Sequence, residues 1–127
     1  MSGILYNDAV QVLLQRIPEI HKSYTLVLNE WHPEEIPAHI VYGSIFPTFV
    51  DSLEANWRKT KNKDLENVLL RSFLLIENLA SSSDFETRCL VEASFLETLL
   101  DLQEGWERFN KLFNKNTLLM AKKLVRK

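Results

Sequence analysis

Apolar residues return at helical spacing along almost the whole chain. Val10, Leu13, Leu14 and Ile17 make one stripe, and Ile20, Tyr24, Val27, Leu28 and Trp31 a second. Phe46, Phe49, Val50, Leu53 and Trp57 make a third. Leu65, Val68, Leu69, Phe73, Ile76 and Leu79 make a fourth. This period marks amphipathic helices, because a half-buried strand needs alternation every second residue. The chain has only three Gly and four Pro, too few for the many tight turns of an all-β fold. Its 127 residues are enough to bury one real core, roughly two thirds of the unfolded surface. The expected fold is therefore all-α: a single domain over 1–127, with six or seven helices. Short connectors make neighbours antiparallel, in a helical bundle or a short α-solenoid (HEAT-like) fragment.

The breaks between stripes have local causes. Pro18 ends the first helix and can open the second, where its missing N–H is not needed. Around "AHIVYGSIFP" the spacing predicts a helix broken or kinked at Gly43 and Pro47. Asn62 is placed to cap a helix over 64–80. Ser83 and Glu86 have the S-x-x-E spacing of a capping box, which predicts a helix from Asp84 to about Leu102. The last segment carries Trp106, Phe109 and Phe113, then Leu118, Leu119, Leu124 and Val125. "SFLLIENL" from Ser72 and "SFLETL" from Ser94 echo each other at 22 residues, a hint of stacked helical pairs.

Charge is unevenly distributed. Residues 108–127 hold seven basic side chains and no acidic one, leaving 8 basic against 17 acidic over 1–107. The block 84–107 is the most acidic, with seven carboxylates against Arg88. On the 85–102 helix, Glu86, Glu97, Asp101 and Glu104 fall on the polar side. They are the candidate partner-binding residues, suited to a basic protein that charge complementarity would attract. The basic segment raises nucleic acid as a ligand. The acidic remainder of the chain would repel phosphate, which argues against nucleic acid as a partner. A favoured alternative is that the basic segment lies against the acidic ridge.

Two polar residues sit within the apolar arc of the same helix. At 100° per residue, Arg88 and Glu92 fall among Phe85, Cys89, Val91, Ala93, Phe95, Leu96, Leu99, Leu100 and Leu102. A buried carboxylate requires a partner. An Arg88–Glu92 ion pair, or a bond to a neighbouring helix, is one reading; a pocket or partner surface is the other. His21, His32 and His39 lie near Glu30, Glu34 and Glu35, but no H-E-x-x-H or repeated E-x-x-H spacing supports a metal. His39 can point into the core or join Glu92 in a metal-binding or hydrolytic site. Ser44 lacks the frame of a nucleophile elbow, and no glycine-rich phosphate loop exists. No catalytic residue, metal or cofactor is assigned.

The lone Cys89 can close no disulfide within the chain. The first ten residues lack the basic start and apolar run of a signal peptide. No apolar stretch approaches the roughly 20 residues that cross a bilayer. These features predict a cytoplasmic protein, with no membrane partner.

"PAHIVYGSI", with His39 and Gly43 in an H-x-x-x-G frame, and "VEASFLETL" from Val91 to Leu99 resemble a group of small, helical, uncharacterised bacterial proteins that are immunity-protein-like. The two segments cover under a fifth of the chain. Ser44 departs from the acidic residue that follows the glycine in that group. The resemblance implies a helical fold and a toxin-neutralising role, and it carries over no catalytic residue. Together with the acidic block, it leads to the expectation of a non-enzymatic protein-binding module, an immunity-type protein that meets a basic toxin.

Overall fold

Seven helices follow one another in the computed structural model, which describes residues 3–126, and no strand occurs among them. Lys127, the last of the seven cations, lies outside the described residues, as do Met1 and Ser2. We number the helices α1 (Ala9–Arg16), α2 (His21–Trp31), α3 (38–60), α4 (Lys63–Ala80), α5 (85–101), α6 (Gly105–Phe109) and α7 (Lys115–Val125). Both α3 and α5 are composite. In α3, Ala38–Ile40 runs into a π-helical turn at Val41–Ile45 and then into Phe46–Thr60. In α5, Phe85–Cys89 runs into a π-helical stretch at Leu90–Leu96 and then into Glu97–Asp101.

The helix ends follow the sequence closely. The Ile17 N–H closes α1 on Leu13 O at 2.8 Å, and Pro18 begins a single 3-10 turn into α2. Lys61, at φ 53, reverses the chain after α3, and Asn62 Oδ1 accepts the N–H groups of Asp64 and Leu65 at 2.8 and 3.2 Å. A cap of this kind stabilises a helix by about 1 kcal/mol. The capping box is displaced by one residue. Asp84 takes the N-cap position of α5, and its carboxylate accepts the Tyr6 N–H at 2.8 Å and the Thr87 hydroxyl at 2.9 Å. The Tyr6 N–H foremost, then Thr87, hold the Asp84 carboxyl below its usual range. The carboxylate thus pins the N-terminal segment to the first turn of α5.

Helix α4 is central. It packs on α1, α3, α5 and α7, which makes the arrangement a bundle around one helix. The Ser72/Ser94 echo is not a structural repeat. Ser72 bonds Val68 O within a regular α-helix, whereas Ser94 lies in a π turn. Phe73, on α4, meets Phe95, Phe109 and Phe113 at centroid distances of 6.3, 6.2 and 5.7 Å. Phe95 continues to Phe46 and Phe46 to Tyr42, joining α4, α5, α3 and α6 through rings. The buried Tyr42 hydroxyl donates to Ala9 O at 2.7 Å, and burial pushes its phenol pKa up.

Three polar ties lock the outer helices. Glu54, 3 % exposed, accepts from Arg108 at 2.7 Å and from Arg58 at 3.1 Å, and Arg108 also reaches Asp51. Arg71 holds Glu19 through two guanidinium nitrogens and donates to Arg16 O. Glu77 on α4 accepts the backbone N–H groups of Asn116 and Thr117 as well as both side chains, capping the N-terminus of α7. A carboxylate there also favours the positive end of the helix. Arg108, the first cation of the basic segment, is therefore committed to α3. The basic segment does lie against the 84–107 block, since α7 packs on the π stretch and the last turn of α5, but no ion pair joins the two among the described residues.

Candidate binding groove

Pro47 sets the geometry of the site. It has no N–H to give to Gly43 O, and its ring crowds the carbonyl four residues back. The chain responds with a π turn: the Phe46 N–H bonds Val41 O, five residues back. Gly43 O is satisfied instead from another helix, by the Thr98 hydroxyl at 2.7 Å. The π stretch of α5 packs directly on that of α3. A Cβ on Gly43 would stand 3.4 Å from Ser94 Cβ, so the small side chains at 43 and 94 let the two backbones come close. The two segments that resemble the bacterial family, far apart in sequence, are the two that cross here.

An open groove of about 980 Å³ runs beside this crossing. Helix α3 lines it with His39, Ile40, Gly43 and Ser44. Helix α5 contributes Ala93, Ser94, Glu97, Thr98, Leu100 and Asp101. Leu102 and Trp106 close one end, and Leu124 and Val125 of α7 form the far rim. The tight turn at that end depends on Gly105. A Cβ there would lie 2.5 Å from Leu99 O and 2.9 Å from Leu100 Cα.

The groove gathers three of the residues singled out from the sequence: His39, Glu97 and Asp101. All three are exposed, and neither carboxylate is in an ion pair among the described residues. Glu97 and Asp101 stand one turn apart on the α-helical end of α5, where like charges repel. Glu86 and Glu104 are exposed but lie outside the groove. Glu86 precedes the π stretch, and Glu104, at φ 58, begins α6.

The Arg88–Glu92 ion pair does not form. Arg88 donates to Ser82 O at 2.8 Å and stacks toward the Phe85 ring. Glu92 is half-buried, within reach of water, and has no ion pair or hydrogen bond among the described residues. Its placement in the apolar arc came from a uniform 100° advance. A π turn advances less per residue, so one angular phase cannot serve the whole of α5. Phe85, assigned to the buried arc, is 67 % exposed for the same reason, and Ala93 is exposed too. His39 lines the groove while Glu92 does not. Among the described residues no three His, Cys, Asp or Glu side chains gather in a way that could hold a metal ion. No helix among them is long and apolar enough to cross a membrane.

Sequence reasoning missed Thr98, Trp106 and the α7 rim. Pro47 four residues after Gly43 was the usable signal for Thr98, because it announces a carbonyl in need of a donor from elsewhere. A family model described as "Domain of unknown function (DUF7674)" matches residues 10–126. No curated protein and no solved structure matches the chain.

Proposed function

The chain belongs to this DUF7674 family, and we propose that it is a non-enzymatic, cytoplasmic protein-binding module whose groove takes a basic segment of a partner protein. The observation that carries this reading is the groove's composition. Two carboxylates without cationic partners among the described residues, Glu97 and Asp101, stand on one wall, beside apolar surface from Leu100, Trp106, Leu124 and Val125. A helix or strand bearing cations on one side and aliphatics on the other would neutralise the first and cover the second. The carboxylates would speed encounter and reject acidic competitors. Within that class, the immunity-type role is the reading we favour: the protein occupies a basic toxin and blocks it.

The test uses a defined probe. A helical Lys/Leu peptide is titrated into the protein while tryptophan fluorescence and amide NMR shifts are followed. The expected result is saturable binding, with the largest shifts at Gly43, Ser94 and Thr98, and its loss in Glu97→Lys/Asp101→Lys. Binding that ignores both substitutions, or shifts clustered around Glu86 and Glu104, would overturn the groove as the site.

A further inference from the structure

We infer that the groove is also where two copies of this chain meet, each laying its α7 against the acidic wall of the other. This rests on the groove being a protein-binding surface and adds how it is occupied when no partner is present. A suitable occupant is a helix with cations and an apolar anchor on one exposed stripe. The chain carries such a helix. In α7, Lys115, Leu119, Lys122 and Arg126 recur at i, i+4, i+7 and i+11, and all four are exposed. Leu119 is 53 % exposed. Lys122 and Arg126 flank Val125, which lines the groove.

At 100° per residue Lys122 and Arg126 lie beyond Val125 on the side of α7 turned away from the buried Thr117 and Ala121, which places carboxylates, apolar side chains and cations in that order from α5 across α7. A two-fold axis through the apolar middle turns that order into complementarity. Glu97 and Asp101 of each copy then face Lys122 and Arg126 of the other, and Val125 meets its own counterpart near the axis. This is the self-matching surface that an isologous dimer requires. Neither set of charges is in an ion pair within the chain among the described residues, so both are available. Self-docking would cover the groove, and a basic partner would have to displace the second copy to enter.

The experiment is sedimentation velocity over a range of concentrations in about 0.1 M salt, where the Debye length is about 10 Å. Wild-type protein is expected to rise from the 14.8 kDa monomer toward twice that mass. The variants Glu97→Lys/Asp101→Lys and Lys122→Glu/Arg126→Glu should each associate at least about tenfold more weakly, and an equimolar mixture of the two should pair again. Circular dichroism verifies that each variant is folded. A wild type that stays monomeric, a variant that associates alone as tightly as the wild type, or a mixture that does not pair overturns the inference. A monomeric wild type that binds the Lys/Leu peptide overturns self-docking alone. A wild type that dimerises when concentrated but does not bind the peptide when diluted to monomer supports self-docking and overturns the partner reading.

Discussion

Replacing Thr98 with Val keeps the shape of the side chain and removes its hydroxyl. In the folded protein that hydroxyl is the donor to Gly43 O, at 2.7 Å in a part-buried position. Pro47 supplies no backbone N–H in its stead, so the carbonyl is left without this donor between two closely packed helices. Losing a hydrogen bond and stranding a buried acceptor costs about 1–3 kcal/mol, and partial access of water places this site near 1–2 kcal/mol. For a chain of this length, each kcal/mol moves the thermal midpoint by roughly 3–5 °C. Thr98→Ser, which keeps the donor and drops only a methyl group, should cost less than Thr98→Val. The decisive measurement is a double-mutant cycle by urea denaturation. Pro47→Ala restores an N–H that can reach Gly43 O in a regular α-turn. In that background Thr98→Val should cost at least about 0.5 kcal/mol less than in the wild type. If Thr98→Val costs the same in both backgrounds, or is better tolerated than Thr98→Ser, the account of the π turn as a response to Pro47 is wrong.

Two further perturbations probe the ties that position the groove. Glu54→Ala should destabilise the fold by about 2–3 kcal/mol in chemical denaturation, because it leaves Arg108 with Asp51 alone. Replacing Glu54 and Arg108 together by Met should cost less than that single change. For Glu77, desolvation raises the carboxyl pKa, but the hydrogen bonds from Thr117 and Asn116 outweigh it and hold the net value below the usual range. A depressed folded pKa stabilises above the unfolded value and ceases to do so as pH falls through the folded one. Wild-type protein should therefore lose this contribution on acidification below about pH 4.3. Glu77→Ala should already lack it at pH 7, with a flatter acid limb; identical acid limbs would refute the role given to this cap.

Local chemistry in the sequence determined the helices. The apolar period called for six or seven amphipathic helices, of which the described residues form seven, Pro18 and Asn62 marked boundaries, and the scarcity of glycine excluded a turn-rich fold. Glu97, Asp101 and His39 were also identifiable as candidates, since carboxylates on a polar face and a histidine near a glycine break are visible in one dimension. Facing direction was another matter. A helical wheel assumes one angular step, and the π turns in α3 and α5 change that step, so Phe85 was placed on the wrong side and Glu92 is half-buried rather than within the core. The π stretch in α5 and the close approach of Gly43 to Ser94 belong to a contact between segments some fifty residues apart. The capture of Arg108 by Glu54 and of the α7 N-terminus by Glu77 joins residues that are 54 and 40 positions apart. Only packing decides which carboxylates are neutralised within the chain and which, like Glu97 and Asp101, have no ion pair among the described residues. The physical reason is that periodicity is a property of neighbours along the chain, whereas charge pairing, backbone approach and the shape of a groove are properties of neighbours in space.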